Sequence, residues 1–116
     1  MLVASFIDTQ FKQVCIFEEI SEVSEWLKEV SYLVVVNDHN NVEGIITLRD
    51  VHLHPYGEIA DCNIQKPILN SSQTIATAID IMIHSNCDYL PVTDAGLFKG
   101  VLSIRTLARK MIDLQG

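Results

Sequence analysis

Basic side chains are in short supply: eight Lys and Arg stand against fifteen Asp and Glu, a formal net charge of −7. An acid excess of that size repels phosphate backbones and anionic bilayers, which argues against nucleic acid and membrane surfaces as partners. Long apolar runs are missing too, and none approaches the roughly 18 residues that cross a bilayer. Asp8 follows Phe6-Ile7 closely, so the amino terminus lacks the basic start of a secretion signal. Only three cysteines occur, Cys15, Cys62 and Cys87, widely spaced and outside any CxxC pattern. That leaves no basis for a disulfide framework or a zinc knuckle and points to a reducing, cytoplasmic setting. Neither GxGxxG nor GxxxxGK followed by Ser or Thr is present, so the phosphate cradles those motifs build are excluded. No Ser-His-Asp, Cys-His or paired-carboxylate set is placed by spacing, and the chain reads as a non-enzyme.

What is present is a duplication. The stretch Gly44-Ile45-Ile46-Thr47-Leu48-Arg49-Asp50 recurs 56 positions later as Gly100-Val101-Leu102-Ser103-Ile104-Arg105-Thr106. At the same offset Val36 falls on Val92, Asp38 on Asp94, and Trp26-Leu27 on Met82-Ile83, with no gap from about residue 20 to residue 53. Ile59-Ala60 answers to Val3-Ala4, so the stretch 54–67 belongs to the repeat despite Pro55, Gly57 and Pro67. Before residue 20 the register is poorer, which predicts a small insertion or deletion there. With 116 residues, 48% of them apolar, the chain has material for one compact core and one cooperative unit.

Periodicity assigns the elements. Ile20, Val23, Trp26, Leu27 and Val30, and then Ile75, Ala78, Ile79, Met82 and Ile83, recur at helical spacing. Val14-Cys15-Ile16 and Ile68-Leu69 read as short strands, Leu33 to Val36 and Tyr89 to Val92 as buried strands, and Val42 to Thr47 and Phe98 to Ser103 as their partners after polar turns. Helices are predicted from Leu48 to about Leu53, stopped near Pro55, and from Arg105 to about Leu114. Each half reads strand, helix, strand, strand, helix.

That order, with Val-Val-Val-Asn-Asp (34–38), Leu-Pro-Val-Thr-Asp (90–94) and the doubled Gly-h-h-Thr/Ser-h-Arg junction (h, hydrophobic), resembles the paired CBS motifs called a Bateman module. The resemblance covers essentially the whole chain. It implies an α+β fold (α/β-type) of two β-α-β-β-α motifs packed as a pseudo-two-fold pair. The single module would span 1–116, with motif 1 at about 1–56 and motif 2 at about 57–116. It also implies regulatory clefts between the motifs for an adenosine-containing ligand, AMP, ADP, ATP or S-adenosylmethionine. A homodimer acting on a regulated enzyme or transporter follows from the same resemblance, with no required cofactor and no metal. The stripes Val23-Trp26-Leu27-Val30 and Ile79-Met82-Ile83 are expected to contribute to that dimer.

In the family signature the hydroxyl meets phosphate and the carboxylate takes the ribose hydroxyls. Thr47 and Asp50 fulfil it, and Arg49 adds a forked donor. The resemblance places the base-binding wall of this first site at Ile68, Leu69, Cys87, Asp88, Tyr89 and Pro91. Asp88 would oppose a triphosphate and so favour AMP or a less anionic ligand. A second, weaker site would use Ser103, Arg105, Thr106 and Tyr32, with Thr106 standing where Asp is expected. Local readings stay open beside these: Thr47 and Asp50 equally suit a helix cap, and Cys87 suits an apolar filler. His52 and His54 suit a solvated surface, and so does the acidic row Glu18, Glu19, Glu22, Glu25 and Glu29. The alternative function is a structural dimerisation module with degenerate, ligand-free pockets.

Overall fold

The computed structural model describes residues 1–115. It divides into two compact units, one formed by residues 11–65 and the other by 1–10 together with 66–116. The first carries β1 (Gln13–Cys15), α1 (Ile20–Trp26), β2 (Leu33–Val36), β3 (Val42–Ile46) and α2 (Leu48–Leu53). The second repeats the order as β4 (Leu69–Asn70), α3 (Ile75–Ser85), β5 (Tyr89–Asp94), β6 (Leu97–Ser103) and α4 (Ile104–Gln115). In both, the middle strand of a three-stranded sheet pairs parallel with the first and antiparallel with the last. β2 is buried at all four residues, which is why it reads as a continuous Leu-Val-Val-Val run without alternation.

Local chemistry sets the element ends. Thr74 caps α3 by accepting from the Thr77 N–H at 3.2 Å, and Asn86 closes that helix in the left-handed region at φ 55°. The Asn37 carboxamide oxygen accepts from His39 N and Asn41 N at 2.9 and 3.0 Å, shaping the β2–β3 turn. Ala95 and Gly96, with φ of 50° and 80°, form the tight β5–β6 turn between the paired Asp94 and Leu97. Pro91 is tolerated in a central strand because it lies one residue before the first rung with β4. Opposite it, Val101 exchanges both main-chain bonds with Asp8 and needs no donor from Pro91.

The repeat is not gapless. Val14 and Leu69 occupy the same place against the middle strand, and Ile20 and Ile75 both open their helices, an offset of 55. Val35 and Val92, each opposite a glycine of the last strand, are 57 apart, and the glycines themselves, Gly44 and Gly100, 56. From the helix start to the middle strand the second unit therefore has two extra residues, its helix being the longer one, and it has one fewer in the hairpin turn. This corrects the alignment of Trp26-Leu27 with Met82-Ile83: Leu27 corresponds to Met82, and both are buried at 3% and 4% exposure. Val23, Leu27 and Met82 are thus core residues of their own units, whereas Trp26 and Ile83 are exposed and Val30 and Ile79 half-buried.

Each unit is completed by a lead segment that closes both sides of its sheet. Ile20 N donates to Gly57 O, Ile59 N to Glu18 O and Ala60 N to Ile16 O on one side, and Ile45 N to Ile64 O on the other. The second unit repeats every bond, with Ile75 N to Met1 O, Val3 N to Gln73 O, Ala4 N to Ser71 O, and Val101 N to Asp8 O. Short 3₁₀ turns at Val3–Ser5 and Ile59–Asp61 sit 56 apart within these leads. Val3, Phe6, Ile59 and Ile64 plug the cores, and Lys110 Nζ ties the first lead to α4 by donating to Ser5 O at 3.1 Å. Burying each of these side chains contributes roughly 1.5–3 kcal/mol.

Glycine is required where the lead passes, since a Cβ at Gly44 would meet the Ile64 carbonyl and one at Gly100 the Asp8 carbonyl. Gly44→Ala and Gly100→Ala should each lower unfolding free energy by about 2 kcal/mol in urea titrations, the range for overpacking at a close contact. Ala76→Ser, on the exposed face of α3, should change it by less than about 0.5 kcal/mol.

Candidate functional site

In the first unit the chain leaves β3 and enters α2 at Thr47, the N-cap, in extended conformation. A reciprocal capping box forms there. Asp50 N approaches Thr47 Oγ1 at 3.5 Å, while Asp50 Oδ2 accepts from Thr47 N at 2.9 Å and from Thr47 Oγ1 at 3.1 Å. The box holds Asp50 at 8% exposure, a buried carboxylate with its partners in place. Arg49 lies beside it on the exposed face of α2. The cap reading of Thr47 and Asp50 is thus realised in full.

The second unit has half of this arrangement. Ser103, 3% exposed, accepts from Thr106 N at 3.1 Å, but Thr106 carries no carboxylate to return a bond to the N-cap. Arg105 is exposed and Thr106 half-buried. Ile104 N donates to Asp88 O at 2.9 Å, and Tyr89 pairs with Ser103 across β5 and β6. Asp88 and Tyr89 therefore lie against the Ser103 junction of their own unit.

The same geometry links Tyr32 to Thr47, because Tyr32 precedes Leu33, which pairs with Ile46, the residue before Thr47. Tyr32 and Tyr89 are structural equivalents, 57 apart and both half-buried. At an offset of 56 Tyr32 falls on Asp88, which hides the match. The Tyr-Leu dipeptide opening each middle strand was the signal available for it.

Other expected wall residues fare unequally. Ile68 is 66% exposed, Leu69 is fully enclosed in the core of its unit, and Pro91 is buried between the core residues Leu90 and Val92. The reason is strand alternation, which turns Leu69 inward and Ile68 outward. Cys87 is half-buried against the second core, its Sγ 3.4 Å from Ser85 O. His52 and His54 are exposed, and among the described residues no group of three or more His, Cys, Asp or Glu is placed to hold a metal. Of the acidic row, Glu25 pairs with Lys28 at 2.9 Å on an open helix face. No helix among the described residues is long and apolar enough to cross a membrane.

This doubled β-α-β-β-α architecture, with a hydroxyl-capped junction in each half, defines a tandem-repeat class of fold. The chain belongs to the CBS domain family, whose model matches it twice, over residues 12–54 and 59–113. A 17.7 kDa protein of Acidianus ambivalens is 31% identical over 104 residues, 82% of this chain and 63% of that protein. The chain thus spans less than two thirds of that relative's length. The crystal structure of CBSX2 in complex with AMP matches with a TM-score of 0.83 at 20% identity, covering 99% of this chain and 98% of that one. A CBS domain pair in complex with 5′-methylthioadenosine and S-adenosyl-L-methionine matches with a TM-score of 0.80 at 18% identity, covering 96% and 95%.

The asymmetry of the two caps has a measurable consequence. Thr47→Ala should cost about 1 kcal/mol of stability, the usual worth of an N-cap hydroxyl. Thr106→Asp, by supplying the missing return bond and an acid in the first turn of α4, should gain about 0.5–1 kcal/mol in the same denaturation assay.

Proposed function

We propose that this chain is a regulatory module that senses an adenosine-containing ligand, AMP, ADP, ATP or S-adenosylmethionine, and performs no catalysis itself. The observation that carries this is the complete Thr47–Asp50 pair in a tandem CBS protein. A hydroxyl and a carboxylate are locked together at a strand end, with the guanidinium-bearing Arg49 adjacent. A fixed carboxylate accepts from two vicinal ribose hydroxyls, and Arg49 supplies donors for an anionic substituent. Two matched CBS structures, one with AMP and one with 5′-methylthioadenosine and S-adenosyl-L-methionine, support the same ligand class. Ser103, Arg105 and Thr106 make a second, weaker site, since a threonine at 106 cannot accept from a diol as a carboxylate does.

In this reading a cytoplasmic homodimer passes occupancy on to a regulated enzyme or transporter, and the ligand acts by binding one dimer geometry better than another. Trp26 and Ile83, 41% and 69% exposed, are the stripe residues left for such contacts. A second reading, a structural dimerisation module without a ligand, is favoured by one observation: the Thr47–Asp50 box is already satisfied as a helix cap.

Thermal shift with AMP, ADP, ATP, S-adenosylmethionine, NAD and cyclic dinucleotides separates the two. A ligand at a hundred times its Kd should add about 2.7 kcal/mol of stability. Asp50→Ala should weaken the response substantially, and Thr106→Ala should reduce it less. No shift with any compound would favour the structural reading.

A further inference from the structure

One unit carries the whole net charge. Residues 11–65 hold ten Asp and Glu against three Lys and Arg, while the other unit balances at five of each. The exposed aromatic rings among the described residues, Phe17, Trp26 and Tyr56, all lie on that acidic unit too. Ring and acid meet in a groove of about 350 Å³ between the start of α1 and the chain at 55–58. Tyr56, 86% exposed, forms part of its wall, and Glu19 and Glu58 line it from the two sides of an antiparallel bridge. Like charges set directly across such a bridge repel. Among the described residues neither of them forms an ion pair, nor does Glu22 on the first turn of α1.

The repeat shows that the fold does not demand this arrangement. The equivalent bridge of the second unit joins Leu2 to Thr74, and where α1 has Glu22, α3 has Thr77. The leads are held by the same main-chain bonds in both units, so the charges add nothing to that closure. Repulsion kept in one copy only, beside an open ring, is relieved by a cation from outside the chain. Among the described residues no third His, Cys, Asp or Glu joins the pair to hold a metal, which leaves an organic cation. A guanidinium suits the groove best, because it stacks on an aromatic face while its forked donors reach two carboxylates.

We propose that this groove docks an arginine-rich segment of a partner protein, with one guanidinium over Tyr56 between Glu19 and Glu58 and Glu22 attracting the next basic side chain. The surface uses none of the Thr47–Asp50 junction and stands whether or not a ligand binds there.

The test uses a fluorescein-labelled Arg-Gly repeat peptide and its citrulline counterpart, which keeps the shape without the charge. Both are titrated by fluorescence anisotropy into the full chain and its variants. The arginine peptide should bind, more weakly as salt screens the charges, and the citrulline peptide should not. Glu19→Gln combined with Glu58→Gln should weaken binding about tenfold, in line with bonds to charged groups. Tyr56→Ala should weaken it about threefold, the range of an exposed cation–π contact. The paired Gln variant should also melt at a higher temperature, since it removes the repulsion across the bridge, so its lost binding is not lost folding. Asp38→Asn combined with Asp94→Asn makes the same change of net charge at other exposed positions and should leave affinity within about twofold. Equal weakening by both pairs, equal binding of the citrulline peptide, or no binding of the arginine peptide would overturn the proposal. A dimer that Tyr56→Ala splits in sedimentation would assign the groove to a second copy and overturn it as well.

Discussion

Two backbone carbonyls, those of Ile64 and Asp8, underlie the rest of the structure. Each accepts from the last strand of a sheet, at Ile45 N and Val101 N, and each comes so close that only glycine fits at positions 44 and 100. On the other side of each sheet the same leads bond to the turn that follows the first strand. Without them a three-stranded sheet with a two- or three-residue first strand would leave unpaired edges and an open core. The leads also explain the division of the chain. Residues 1–10 complete the sheet built by 66–116, while 57–64 complete the sheet built just before them. The first unit is therefore local in sequence, and the second depends on a segment more than fifty residues away.

That closure positions the junctions. Val101 is held by Asp8 two residues before Ser103, and Ile45 by Ile64 two residues before Thr47, so each cap begins from a strand fixed on both sides. On equal supports the two caps have diverged. The first unit keeps a reciprocal box with a buried carboxylate; the second keeps the hydroxyl alone. A single side chain at position 106 separates a reciprocal cap from one that lacks the return bond.

Much of this was legible from residue patterns. The run Leu33 to Val36, the hairpin partners after each polar turn, the end of α2 before Pro55 and the membership of 54–67 in the repeat all agree with the structure. The phase of the repeat was not legible. Trp26-Leu27 and Ile81-Met82-Ile83 are all apolar, so a shift of one residue leaves the hydropathy match intact while moving a side chain from core to solvent on a 100° helical step. For the same reason Val23, Leu27 and Met82 could be counted toward a surface stripe when they face inward. The inward turn of Leu69 was likewise hidden, because a two-residue strand has too few positions to show alternation.

By itself the sequence determined the duplication, the element order, the kinship with tandem CBS domains and the loss of the second carboxylate. Each of those is carried by residue identity over short spacings. Only the tertiary structure decided which lead closes which sheet, which residue of each apolar pair is buried, and that the Thr47 hydroxyl donates a hydrogen bond to Asp50. Those outcomes depend on partners met through folding and on hydrogen-bond directions, and neither is encoded in the order of residue types alone.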